Sequence, residues 1–311
     1  MKQKSLNLSQ PMISDVAQLD VDFVIPRVGI DLPLGIDPFL LYKSRDHKLE
    51  NLHNAIISPF NAAIESLRNK DIPTATYLLD LPEVPEIGLG YTTKGKRGSG
   101  VGSYLTQLII ETLNSSPALL ERGVRHVEEM QLVAIRIAAD RTSDIAANFI
   151  KEYLIDYTQQ QCKLWDIELK PNVPVHHIFN LQTYEWYDTY TDLPISPVDS
   201  SPIIFVPRRI VRSLPWINYA DYFRNEFSAY LRAKEVKKTH KKQSQPLISK
   251  QEVISINRTE VERIDHYIDR KEATAEQARP SMDYYSRSDL QNQADVLKQK
   301  LTQLNTGATD A

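Results

Sequence analysis

Residues Gly88-Leu-Gly-Tyr-Thr-Thr-Lys-Gly-Lys-Arg-Gly-Ser-Gly-Val-Gly102 bring together the residue types that bind phosphate. Six of the chain's ten glycines fall here, beside Lys94, Lys96 and Arg97. Glycine admits positive φ and close backbone approach, so successive amides can converge on an anion, and Ser99 adds a hydroxyl donor. Gly98, Ser99 and Gly100 with the three cations are therefore the candidate phosphate contacts. Tyr104, Leu105, Leu108, Ile109 and Leu113 recur at helical spacing directly afterwards, so a helix N-terminus aims its partial positive charge back at the segment. No Gly-Lys-Ser/Thr ending is present, and no Gly-x-Gly-x-x-Gly is followed by an acid about 20 residues on, which excludes the Walker A and dinucleotide-binding motifs. The competing reading is an exposed hairpin without a ligand.

Acidic residues offer a second chemistry. Glu128 and Glu129 precede the apolar run Met130–Ile137, read as a buried strand, while Asp140 and Asp144 follow it at the start of a helix. Polar groups at strand ends are where α/β proteins often place a site, so Glu129, Asp140 and Asp144 are candidate catalytic, Mg²⁺-holding carboxylates of a metal-dependent phosphodiesterase. Asp144 and Asn148 stand four apart and project from one side of that helix. The bland alternative is that Thr142, Ser143 or Asp144 caps the helix. Arg208, Arg209 and Arg212 follow Pro207, a residue suited to the first position of a short helix, and form a second candidate phosphate-contacting cluster. His53 sits on an apolar helical stripe without a partner at ligand spacing, which predicts a satisfied core or boundary histidine. His176 and His177 are adjacent in a strand and point to opposite faces, so they do not suit one metal. Cys162, the one cysteine, precludes an internal disulfide and reads as a buried small hydrophobe.

These groups need a scaffold. Leu49 to Leu67 keeps a helical stripe with a kink or break expected at Pro59. A strong helix carries Ile145, Ala146, Phe149, Ile150, Tyr153, Leu154 and Tyr157. A β-hairpin is expected around Asn180–Thr183, and a further strand at Ile203–Val206. Thr259-x-x-Glu262 predicts a capping box, and Leu290, Ala294, Leu297, Leu301 and Leu304 form a two-heptad apolar seam after Ser288. The expected organisation is a loose 1–19, an α/β body over 20–233, a basic linker over 234–250 and a C-terminal helical segment over 251–311. Residues 288–305 are expected to contact a protein partner or a second copy. The fold class is α/β, with mixed α+β as the alternative: a central mixed sheet, flanking helices and a C-terminal helical extension.

With 311 residues, 41% hydrophobic and 25% charged, the chain has the balance of a globular protein, and a formal charge of −3 confines any nucleic-acid contact to local patches. No run of 18 apolar residues occurs and the N-terminus has no signal-peptide core, so a cytoplasmic protein without a membrane span is expected.

GIDPFLLYKS (35–44), PEVPEIGLGYTTKGKRGSGVG (82–102), DRTSDIAANFI with YLIDYTQQQC (140–162) and FVPRRIVRSLPWINYADYF (205–223) resemble an uncharacterised group of bacterial proteins over about residues 20–272. Members of that group carry such a region N-terminal to a restriction-endonuclease-like domain, which implies a role in defence against phage or foreign DNA. The chain departs from that layout, since Glu168-Leu-Lys170 follows a helix instead of lying on a buried strand and no Asp…Glu-x-Lys array is present. The resemblance thus implies the sensing, binding or scaffolding part of such a system, which with the basic glycine-rich segment gives a nucleic-acid or nucleotide-binding subunit; a metal-dependent nuclease and a purely structural adaptor are the alternatives.

Overall fold

The computed structural model describes residues 21–26, 32–42, 44, 47–87, 89–90, 101–196, 200–231 and 248–282. The glycine-rich segment from Tyr91 to Gly100, most of the basic linker and the leucine seam at 288–305 lie outside the described residues.

Helix α1 (His47–Arg68) is the spine. Leu49, Leu52, Ile56, Phe60, Ala63, Ile64 and Leu67 recur every three or four residues and are all buried, so one stripe faces the core. The expected break at Pro59 does not occur, because buried neighbours on both sides, Ile56 and Phe60, hold the helix against the core. Around α1 pack α2 (Ile72–Leu78), α3 (Val101–Asn114) and α4 (Pro117–Arg122). Asp71 caps α2 by accepting from the Thr74 amide at 3.1 Å. Gly123 ends α4 at φ 82°, and a Cβ there would sit 2.6 Å from Asn61 Oδ1. That side chain accepts from Val124 N and donates to Val124 O, so a glycine is required for the turn to close on α1.

The apolar run after Glu129 is not a strand. Residues 127–129 form a 3₁₀ turn that passes into α5 (Met130–Val133). Met130 to Ala134 are all buried, and a segment buried on every side carries no periodicity to separate strand from helix. Helices α6 (Ala139–Phe149) and α7 (Lys151–Trp165) follow. The α6 start also differs from expectation: Ala138 is its N-cap, Thr142 donates its hydroxyl to Ala138 O, and Ser143 Oγ accepts from Ile36 N at 2.9 Å.

The fold is mixed α+β. Its described strands form three two-stranded sheets instead of one central sheet. β1 (Leu32–Pro33) pairs in parallel with β3 (Leu89–Gly90), and β2 (Gly35–Ile36) pairs antiparallel with β6 (Val211–Arg212). β4 (Lys170–Asn180) and β5 (Glu185–Leu193) form the expected hairpin. A bulge sets His176 and His177 against Asp188, whose carboxylate meets His176 Nδ1 at 2.8 Å and the His177 amide at 2.9 Å. Ile203–Val206 is buried but joins no regular ladder, bonding instead to Val24, Pro194, Glu86 and Thr158.

After α8 (Tyr219–Tyr222) and a π turn over Phe223–Phe227, the chain returns as α9 (Lys250–Thr259) and α10 (Glu262–Met282). The capping box is Ser249 with Glu252, not Thr259 with Glu262. Thr259 closes α9 by donating to Ile256 O. Val253, Ile264, Tyr267, Ile268 and Ala275 belong to the same hydrophobic core as α1 and α6, so this stretch completes the body. We predict that Ile268→Ala lowers unfolding free energy by about 2–5 kcal/mol in urea titration, the usual cost of a buried large-to-small change. A loss below about 0.5 kcal/mol, the range of surface substitutions, would mean that α10 is peripheral.

Candidate anion-binding surface

Two arginines meet where the glycine-rich segment leads into α3. Arg136 donates from Nη1 to the Tyr104 hydroxyl at 2.7 Å, and its guanidinium carbon lies 5.7 Å from the ring centroid. The Arg141 guanidinium carbon stands 5.3 Å from the same ring. Tyr104 stays 37% exposed and Ile135 44% exposed beside this cluster. Arg141 Nη1 is buried and makes no hydrogen bond among the described residues. Tyr104 belongs to the first turn of α3 and Arg141 to the first turn of α6, so two helix N-termini with their partial positive charge lie side by side. Asp140, half-exposed, offsets part of that charge.

The turn that presents Arg136 is fixed by α9. A helix C-terminus leaves carbonyls without intrahelical partners. Asn257 Nδ2 donates to Leu132 O at 2.8 Å, Arg258 Nε to Val133 O at 2.8 Å and Lys250 Nζ to Ile135 O at 3.4 Å. On the other side Gln131 Nε2 donates to Thr142 Oγ1 at 3.1 Å, tying α5 to α6. Thr106 Oγ1 donates to Leu79 O and accepts from Leu81 N, which anchors α3 two residues after Tyr104.

Behind this surface lies a buried polar network centred on residues 122–129. Glu129 is fully buried. Its Oε1 accepts from the amides of Arg125 at 2.7 Å and His126 at 3.0 Å, and its Oε2 from Arg122 Nη2 at 2.6 Å. His126 contacts His53 Nε2 through Nδ1 at 3.1 Å and Glu272 Oε1 through Nε2 at 2.9 Å. Burial pushes the Glu272 carboxyl up, but hydrogen bonds from His126 and Arg125 and the charge of Arg125 outweigh it and bring it down to about 2. An ionised Glu272 accepts from His126 Nε2–H, while His126 Nδ1 faces His53 Nε2. Burial, aided by the neighbouring His126, holds His53 down to about 3. Sequence reading missed this chain because Glu272 lies 146 residues beyond His126.

Asp37 and Glu128 form a second buried pair. Asp37 accepts from Phe39 N at 3.2 Å and Trp216 N at 2.9 Å, with Arg212 Nε 3.5 Å away. Burial raises both carboxyls, and the charge of Asp37 raises Glu128 further. Arg212 and two amides favour charge on Asp37, so within the pair the proton belongs to Glu128. Phe39, Tyr42, Trp216, His53 and His126 line the space between the two networks with mutual ring contacts.

The candidate residues from sequence distribute unevenly. Lys94, Lys96, Arg97, Gly98, Ser99 and Gly100 lie outside the described residues. Arg208 donates to Val21 O and, with exposed Arg209, lies in the field of Asp22, whereas Arg212 stacks on Trp216 at 4.9 Å and faces Asp37. Arg208 and Arg209 thus face Asp22 while Arg212 faces Asp37, because Arg208–Ile210 is a 3₁₀ turn and Arg212 belongs to a strand. Glu129 is spent on Arg122 and two amides. Asn148 bonds the Pro82 and Asp144 carbonyls instead of sharing an ion with Asp144. No three His, Cys, Asp or Glu side chains among the described residues are grouped to hold a metal, so Glu129, Asp140 and Asp144 do not assemble as a centre. Cys162 is buried, and burial lifts its thiol to about 12, as expected of a small core residue. Among the described residues no helix is long and apolar enough to cross a membrane.

The two networks titrate in opposite senses. A carboxyl held above its unfolded value loses stability as pH rises beyond the unfolded pKa, because only the unfolded state ionises. Glu128→Gln should therefore gain melting temperature relative to the native chain as pH rises from 4.5 to 8; parallel profiles would contradict a protonated Glu128. A carboxylate held below its unfolded value contributes above that value and is lost as pH falls. Glu272→Gln should cost about 1.5–3 kcal/mol at pH 7, the range for a hydrogen bond to a charged group, with the gap closing between pH 4.5 and 2. A constant gap across that window would argue against an ionised Glu272.

The comparisons agree with a shared domain and leave its activity open. No curated protein and no solved structure matches the chain. The model of one family, described as Domain of unknown function (DUF8370), matches residues 13–218, which include Tyr104, Arg136, Arg141 and the buried acids but not α9 or α10. The chain belongs to this DUF8370 family.

Proposed function

We propose that the chain binds the phosphates of a nucleic acid or nucleotide at the surface around the first turn of α3, acting in the cytoplasm as a sensor or scaffold subunit in defence against foreign DNA. The observation that carries this reading is the convergence of Arg136 and Arg141 on Tyr104, at the point where the glycine-rich segment ends. Lys94, Lys96 and Arg97 add three cations within ten residues of that point. Two helix N-termini strengthen the local positive field, although the net charge is −3. The defence context rests on the family resemblance, and the binding chemistry on the surface itself.

Phosphate contacts make affinity fall with salt, with a slope that tracks the number of contacts. In fluorescence anisotropy with a labelled oligonucleotide, Arg136→Glu/Arg141→Glu should weaken binding at least about tenfold and flatten the salt slope by about one to two. The melting temperature should stay near that of the native chain. Absence of binding at low ionic strength, or equal affinity in the double variant, would overturn the proposal.

A further inference from the structure

We propose that Tyr104 is a base-stacking platform that makes single-stranded nucleic acid the ligand of this surface; the inference rests on the phosphate-binding reading above. An aromatic ring that remains exposed on a helix, with guanidinium groups 5.3 and 5.7 Å from its centroid, combines the two elements that bind unpaired bases: a π-face and cations beside it. Arg136 is exposed and bonded to the hydroxyl, so it stands at the ring's outer edge. A base that stacks on the ring brings its own phosphate within reach of this guanidinium. Arg141, half-buried with Nη1 lacking a hydrogen bond, supports the ring from the protein side. A duplex keeps its bases stacked on each other and offers no free face to Tyr104, so it uses only the cations.

Tyr104 is a specificity-determining residue in this account, and it is separable from charge. The experiment compares three probes of similar length by anisotropy or competition: a deoxythymidine oligonucleotide, a duplex and inorganic polyphosphate. Tyr104→Leu should weaken the single strand at least about fivefold more than it weakens polyphosphate, and Tyr104→Phe should restore the single strand to within about twofold. Circular dichroism melting confirms that the variants fold. Unchanged single-strand affinity in Tyr104→Leu, equal losses for all three probes, or tighter binding of duplex than single strand would overturn the stacking role while leaving phosphate binding in place. No binding of any probe at low ionic strength would remove the phosphate-binding reading itself, and the stacking role with it.

Discussion

The body of this protein depends on one carboxylate, Glu129, buried and paired. It accepts from the Arg125 and His126 amides and from the Arg122 guanidinium, so three donors converge on a group that water does not reach. A buried charge left unpaired costs several kcal/mol, and the geometry meets that demand by folding residues 125–129 into a tight turn. This turn aims His126 inward at His53 and Glu272, sends Glu128 toward Asp37 and starts α5. From α5 the chain reaches Ile135, Arg136 and Arg141. The exposed surface is therefore set by a polar choice made in the interior.

The same network explains why α9 and α10 belong to the body although the family match ends at residue 218. Asn257, Arg258 and Lys250 take the carbonyls that α5 leaves at its C-terminus. Arg122 meets Asp265 at 3.1 Å, and Arg125 meets Asp269 at 2.7 Å and Glu272 at 2.8 Å. Exposed ion pairs contribute little each, but Glu272 also serves buried His126, and Ile264, Tyr267 and Ile268 bury beside it. Charge complementarity sets the register of α10, and apolar burial holds it.

Sequence made visible what is local. The apolar stripe of α1, the hairpin turn after Asn180 and the helix after the glycine-rich segment rest on spacing within one element, and each is present. The strand expected at Met130–Ile137 failed because a fully buried short segment has no solvent face to mark its period. The capping box at Thr259 failed because Ser249-x-x-Glu252, ten residues earlier, satisfies the same pattern. Arg136 and Arg141 escaped notice for a related reason: a strand reading placed Arg136 inside a buried element and Arg141 beyond its end, where a turn in fact brings both to one tyrosine 32 residues upstream of Arg136. Pairings such as His53 with His126 and Asp37 with Glu128 join distant parts of the chain, and no spacing rule encodes them.

The account stands on ligand contact at the α3 entrance, and hydrogen–deuterium exchange reads that contact without altering a residue. With a saturating single-stranded oligonucleotide, amides in residues 101–108 and 134–142 should exchange more slowly than in the free protein, while those of the β4–β5 hairpin keep their rates. Protection confined to the hairpin, or unchanged exchange at both segments under conditions where anisotropy shows the oligonucleotide bound, would contradict it.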